Sequence, residues 1–406
     1  MDHLLFVEGN TSGTGSEFIR RTRALGWLPV VLTADLSRYR PEDLAGACII
    51  PADTSTPEAV AKHCLTFASD HFVRGVWSSS EYYMEHVALA ARKLGLPGPN
   101  FAGIRRCRNK YLQCQRLLER GVQVPAFRLV NSPGDAAIAA TQLGLPVVAK
   151  PPKGSGSIGV RLCTTVAEVC EHAEALLAVS RNERGLPIPQ SVLIETFLDG
   201  PEYSVETFGR QVIGITKKHL GSPPNFIETG HDFPAALPEA AARAASETAL
   251  AALKALGLGW GPAHTEIRLS HQGPAIIEVN PRLAGGNIPA LVKLATGVDL
   301  IQSTLQLVAG EAPTLCSNIR RFASIRFVVA SESGSLAVSP GYLPDLPGLV
   351  EFRIYREPLE IPVLHGDFRD RVGHVIVIGS SPHETADAAD NACSQITLLR
   401  RSADVN

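Results

Sequence analysis

The residues best suited to chemistry lie between Gly261 and Gly286, in GPAHTEIRLSHQGPAIIEVNPRLAGG. Two runs rich in branched residues, 264–269 and 275–279, flank the polar turn Ser270-His271-Gln272-Gly273 and read as an antiparallel hairpin. Folding it about Gln272 sets Glu266 opposite Glu278 and His264 opposite Asn280. Residues two apart share a face of a strand, so these four project from one side, with Ile267, Ile277 and Val279 on the other. Two carboxylates and an amide oxygen make a poor core and a good cradle for a hard cation. Magnesium takes such oxygen ligands and keeps substrate phosphates as further partners. Arg282, just past Pro281, offers a planar cation to a phosphate or carboxylate. A solvated hairpin face would also be charged, but a compact Glu-x-Asn-Pro-Arg cluster behind an apolar strand favours a metal–phosphate site.

A second constellation precedes it. GLPVVAK ends on Lys150, and PPKGSGSIGV follows, with Lys153, Gly154, Ser155, Gly156 and Ser157 leading into a strand at 160–163. Glycines let backbone N–H groups close on phosphate oxygens, and the lysines supply charge. The spacing is not that of a P-loop, and the segment reads as a flap between two antiparallel strands; a plain hairpin tip has the same composition. Glu195 lies on the strand 192–197 before the turn Asp199-Gly200, suited to hold an exocyclic amine. Residues 217–235 read as a long Gly- and Pro-rich loop, of the kind that often carries function. Within it Glu228 and His231 are candidate contacts for an amino group or a carboxylate. The turn with Gly9, Gly13 and Gly15 lacks the spacing of a dinucleotide fingerprint.

The elements that must position these groups begin with strand–loop–helix–strand units at 3–8, 16–25 and 29–33, the opening of a parallel α/β sheet. A strand at 73–78 ends near Glu81, at the edge where open sheets place ligands, although an acidic residue in a helix's first turn has a dipole reason of its own. PGPN at 97–100 breaks the pattern. The basic stretch 105–110 then reads as a solvated helix with Lys110 pointing inward. Helices are expected at 166–178, 239–256 and 383–399, and a separate α+β unit beyond residue 316.

At 406 residues with 45% hydrophobic content, the chain has room for two or three compact units. A net charge of -2 with interspersed signs points away from nucleic acid and anionic membranes. The opening MDHLLFVEGN has no basic leader, and no apolar run nears the ~20 residues of a membrane span. The 8 cysteines form no Cys-x-x-Cys pair and are expected as reduced thiols of a cytoplasmic protein.

Lys110, Lys150, the KGSGSIG flap, IETFLDGPEYSVE, the HTEIRL/AIIEVNPR hairpin and the closing module occur in this order. Together they resemble the ATP-grasp superfamily, and most of all the L-amino-acid ligases, dipeptide-forming carboxylate–amine ligases related to biotin carboxylase. The resemblance implies an α/β and α+β chain with the ATP-grasp fold. Its map would be a Rossmann-like domain at 1–104, an ATP-grasp domain at 105–316 with a mobile lid near 145–210, and a biotin-carboxylase-like module at 317–406. By the same resemblance Lys110, Lys150 and the flap Lys153–Gly159 would hold ATP phosphates. Glu195, Phe197, Leu198 and Glu202 would contact the rest of the nucleotide. Glu266, Glu278 and Asn280 would bind Mg2+, with Mn2+ as a substitute, and Arg282 would steady an acyl phosphate. Glu228 and His231 would line the substrate pocket and help accept the amine's proton, and the small Gly285 and Gly286 would leave it roomy. The implied partners are a small carboxylate and an amine, in a homodimer. A bicarbonate-activating carboxylase and an ATP-binding regulatory protein without turnover are the competing readings.

Overall fold

The structure, a computed structural model, describes residues 2–11, 14–339, 341, 346–356 and 359–400. Its first sheet arises where apolar strands alternate with segments able to cross back over it. β1 (His3–Val7) is buried at every position. It is followed by α1 (Gly15–Ala24), β2 (Leu28–Thr33), β3 (Cys48–Pro51), α2 (Pro57–Ala68) and β4 (Val73–Trp77). The strands pair in parallel in the order β3-β2-β1-β4. Sequence reading missed β3 and α2, and Gly13 of the glycine turn lies outside the described residues. A tight turn over Glu81–Tyr83 leads into α3 (Met84–Leu94), so Glu81 stands just past the C-terminal end of β4.

The basic stretch expected as one helix is two, α4 (Phe101–Cys107) and α5 (Lys110–Glu119). Asn109 restarts the helix by accepting hydrogen bonds from the backbone N–H groups of Tyr111 and Leu112. This break turns Arg108 inward, to 8% exposure, rather than into water.

A second sheet follows from β5 (Phe127–Val130), α6 (Pro133–Leu143), β6 (Val147–Lys150), β7 (Arg161–Cys163), α7 (Val166–Leu177) and β8 (Val192–Thr196). Its order is β5-β8-β6-β7, its pairs are antiparallel, and Val147, Ala149, Cys163 and Ile194 sit in a small core of its own. The glycine-rich segment joins β6 to β7, as the pattern suggested. This sheet already starts at Phe127, ahead of the 145–210 range expected for the lid.

The large sheet gathers β9 (Glu202–Phe208), β10 (Gln211–Leu220) and β11 (Glu228–Phe233), then, after α8 (Glu239–Leu256), β12 (Pro262–Ser270) and β13 (Gly273–Asn280). Next come α9 (Ile288–Thr296), α10 (Leu300–Val308), β14 (Phe322–Val329), β15 (Gly334–Ser339), β16 (Leu349–Ile354), β17 (Leu359–Ile361), β18 (Arg371–Gly379), α11 (Pro382–Ser394) and β19 (Thr397–Arg400). Among the described residues the order is β13-β12-β9-β10-β11-β14-β18-β16, with β17-β15-β19 as a small sheet beside it. Of the strands after residue 316, expected to stand apart, β14 is hydrogen-bonded onto β11 and joins β18 and β16 to the sheet. Ala245, Ala249, Leu253 and Leu256 line one side of α8 and pack on Val205, Ile267 and Val279, which closes one face of the sheet and leaves the other for the site.

Three expectations need correction. The segment 217–235 is not one loop, because β11 lies inside it and pairs with β10 and β14. The last helix ends at Ser394, and Thr397–Arg400 is a strand. In the hairpin, His264↔Asn280 and Glu266↔Glu278 pair as derived, but the next pair is Ile267↔Ile276. Ile277 is therefore the extra residue of a bulge. Ile276 takes the core position beside Ile267 and Val279, and Ile277 lines the cleft. No described helix is long and apolar enough to cross a membrane.

Candidate active site

The hairpin, the flap and the end of the first sheet border one cleft. Lys110, Lys150, Gly154, Ser155, Gly156, Ser157, Glu195, Phe197, Leu198, Glu202, Glu228, Glu266, Glu278, Asn280 and Arg282 all line it. Lys153 and His231 do not. Its apolar lining includes Val148, Ile158 and Val160 of the second sheet and flap, Phe197 and Leu198 after β8, Phe226 before β11 and Ile277 at the bulge.

Lys110, Lys150 and Arg282 each face a carboxylate. Lys110 Nζ donates to Glu278 Oε1 at 2.7 Å and to the carbonyl of Gly154 in the flap at 3.3 Å. Lys150 Nζ lies 2.6 Å from Glu195 Oε2, both side chains 4% exposed. Arg282 donates to Glu81, which also accepts from Arg108. Burial alone would push the Glu81 carboxyl up, but Arg282 and Arg108 outweigh it and hold the pKa down at about 2. Glu81 was offered a dipole reading as well as a ligand-edge one. It is a buried anion shared by two guanidinium groups.

Lys218 is the group the sequence reading missed most plainly. It is 6% exposed and meets Glu202 at 2.7 Å, Glu228 at 2.9 Å and Glu266 at 3.2 Å, from three different strands. Burial would lower its pKa, yet these carboxylates raise it well above the usual lysine value. Glu202 also meets Arg268, whose guanidinium lies 4.9 Å from the Phe197 ring and 5.6 Å from the Phe226 ring. His264 joins Glu206 at 3.0 Å through Nδ1 and Glu266 at 3.2 Å through Nε2. Burial opposes its charge, but the two carboxylates raise its pKa to about 9.

Glu228 and His231 part company. Arg371, from β18, donates to Glu228 at 2.7 Å and lies 4.2 Å over the Phe327 ring. Burial pushes Glu228 up, but Lys218 and Arg371 hold it well below the usual carboxylate range, so it stays an anion and a poor proton acceptor. His231 is 0% exposed, edge-on to Phe327, with neither ring nitrogen hydrogen-bonded. Burial drops its pKa to about 3, so the ring is neutral; its Nε2 lies 3.5 Å from Glu228 Oε2, and the ring itself does not line the cleft. The role of proton acceptor suits neither residue. Gly286, at φ 57, has no free space beside it, because a Cβ there would run into the His231 ring; one at Gly285 would meet nothing within 4 Å.

Among the described residues, no group of three or more His, Cys, Asp or Glu side chains is gathered as a metal cage. The donor set still fits a hard cation. Glu266 and Glu278 are direct cross-strand partners, Asn280 adds an amide oxygen on the same face, and all three border a cleft where phosphate oxygens can complete the shell.

Comparison with known proteins adds an independent line. Residues 143–290 match the ATP-grasp domain, and residues 19–98 match the ATP-grasp N-terminal domain. An uncharacterised Sinorhizobium fredii protein, y4rH, is 36% identical over 380 residues, covering 93% of this chain and 79% of that protein. The alanine–anticapsin ligase of Bacillus amyloliquefaciens is 29% identical over 274 residues, and the match spans 62% of this chain and only 57% of that enzyme. In fold, the chain superposes on the crystal structure of an L-amino acid ligase from Bacillus licheniformis with a TM-score of 0.83 and 22% identity, covering 99% of each chain.

Proposed function

Since this chain belongs to the ATP-grasp family, we propose that it is a carboxylate–amine ligase that joins an amino acid or related carboxylate to an amine or second amino acid at the expense of ATP. The observation that carries this reading is the register of the hairpin, which sets Glu266 against Glu278 at a cleft also lined by Lys110, Lys150 and Arg282.

In the first step the substrate carboxylate attacks the γ-phosphoryl group, forming an acyl phosphate and releasing ADP. The neutral amine then attacks the acyl carbon. The C–O bond to phosphate breaks, and the leaving phosphate carries away the amine's proton. Lys110, Lys150 and the flap residues Gly154, Ser155, Gly156 and Ser157 bind the triphosphate by charge and backbone N–H groups. Glu195, Phe197, Leu198 and Glu202 hold the base and sugar end. Glu266, Glu278 and Asn280 would hold Mg2+, or Mn2+ in its place. That ion, when bound, offsets charge on the transferring phosphoryl group. Arg282 steadies the acyl phosphate and the oxyanion that follows. Glu228, kept ionised by Lys218 and Arg371, binds an ammonium group of a substrate instead of taking a proton from it.

The domain map that goes with this reading is 1–104, 105–316 and 317–406, and the assembly a homodimer, which sedimentation of the purified protein would check. The decisive experiment is a phosphate-release screen with ATP and Mg2+ over amino acids, singly and in pairs, with mass spectrometry of each positive pair. An amide whose mass equals the two partners less water is the expected product. Release that needs bicarbonate, or no release with any pair, would sink the ligase reading.

A further inference from the structure

Between α7 and β8 the lid extends a turn, residues 181–187, that lies against the ligand edge of the first sheet. Asn182 Oδ1 braces it, accepting from the backbone N–H of Arg184 at 3.0 Å and of Leu186 at 2.9 Å. Leu186 packs against the core of the first sheet. Arg38 donates to the Arg184 carbonyl at 3.1 Å, and Arg184 donates to the Gly9 carbonyl at 3.3 Å. The Tyr82 hydroxyl donates to Glu183 Oε1 at 2.6 Å.

Tyr82 is the neighbour of Glu81, and its ring carries the Arg108 guanidinium 5.1 Å from its centroid. Arg108 occupies Oε1 of Glu81, while Arg282 bonds to Oε2. The lid turn, Tyr82, Arg108, Glu81 and Arg282 thus form a continuous series of contacts from the lid to the cleft. We propose that Tyr82 is a positioning residue that couples docking of the lid turn to the placement of Arg282. With the turn docked, the Glu183 bond fixes the Tyr82 ring beneath Arg108, and Arg108 keeps one Glu81 oxygen occupied. Arg282 then puts Nε and Nη2 on the other oxygen and Nη1 on the Leu283 carbonyl, which leaves one N–H on each terminal nitrogen for the cleft. When the turn lifts, Tyr82 is free to rotate and Arg108 loses its platform. Both Glu81 oxygens then become available to Arg282, a bidentate arrangement that draws it out of the cleft. Chemistry would wait until the lid is down and water is excluded. This rests on the ligase reading for the role of Arg282; the docking itself does not.

Two measurements on the full chain decide it. Trypsin has two sites in the turn, Arg181 and Arg184, and cleavage there follows the undocked population when opening is fast. MgADP should slow this cleavage in the wild type, and Tyr82→Phe should erase about tenfold of that protection, the effect of one lost hydrogen bond to a charged acceptor. Glu183→Ala should match it, the double variant should add nothing further, and Glu183→Gln, which keeps an acceptor, should stay near wild type. In the turnover assay, Tyr82→Phe should raise the KM for ATP, because nucleotide binding and docking are linked, and at saturating ATP it should lower the amide formed per ADP released severalfold. Equal protection of Tyr82→Phe and wild type by MgADP would overturn the docking. Lost protection with an unchanged amide-to-ADP ratio would overturn the coupling to Arg282. If the wild type turns over no acid–amine pair, the ligase reading falls and the coupling with it, while the trypsin result still decides the docking.

Discussion

β10 and β11 carry an ionic network on each face, and the two are built differently. On the cleft face Lys218, with 3% of its side chain exposed, serves Glu202, Glu228 and Glu266. On the opposite face Arg326 joins Asp232 at 2.7 Å and Asp390 at 2.5 Å, and His219 meets Asp232 at 2.6 Å. There Asp390 keeps 61% exposure and His219 27%, so water shares the load. The far face is a fastening between α11 and the sheet. The cleft face is a buried array in which one cation sets the spacing of three anions from three strands. Buried charges cost most when one partner is removed, and exposed pairs contribute little.

The largest effect should follow from breaking the cleft array at its centre. Lys218→Met leaves three carboxylates short of a cation, and urea unfolding should show a loss of about 3–5 kcal/mol. A loss below about 1 kcal/mol would mean the array is held by its other cations. Glu278→Ala removes an anion from the cleft instead and should leave the fold intact. Phosphate release should fall by about 10²-fold or more if this carboxylate places charge for phosphoryl transfer; retained release contradicts its assignment. On the far face Asp390→Asn still leaves Arg326 with Asp232, so the melting curve should move by no more than about 1 kcal/mol. A larger shift would show that the two faces are not so different.

A separate test concerns acid stability. Burial depresses His231 to about 3 and His86 to about 4, against 6.5 for an ordinary histidine. Near pH 5 the unfolded chain carries protons on both rings and the folded chain on neither, so stability falls as pH drops from 6.5 toward 4. Replacing either ring by Phe should flatten that part of the stability–pH curve. Asp232, held down by His219 and Arg326 against its burial, adds to the loss at still lower pH. Unchanged slopes in both variants would contradict the buried neutral rings.

The hairpin was legible in the sequence because period-two alternation, a polar turn and facing carboxylates all agree on one register. The bulge was not, since one surplus residue inside Ala275-Ile276-Ile277 leaves no mark in an apolar run. β11 was hidden for the opposite reason. Glu228-Thr229-Gly230-His231-Asp232-Phe233 has the polarity of a loop, and it is a strand because β10 and β14 satisfy its backbone and buried partners satisfy its charges. Lys218 fell in the stretch read as a loop, so no local signal told that it would face the cleft. Arg108 turned inward because Asn109 ended one helix and began another, and a single Asn in a basic run is a faint mark. The fold class and most of the cleft were therefore readable from local periodicity, while the cations that set its spacing depended on contacts distant in sequence.

The extra residue at Ile277 divides the hairpin into two halves that keep independent phase. The inner half, with Glu266 and Glu278, is locked from outside by β9, which pairs with β12 without interruption from Pro262 to Arg268. The outer half, with the His271-Gln272 tip, is counted separately beyond the slack. Lengthening or trimming the tip would thus be absorbed at the bulge, and the two carboxylates would stay abreast through changes that would throw a regular ribbon out of step.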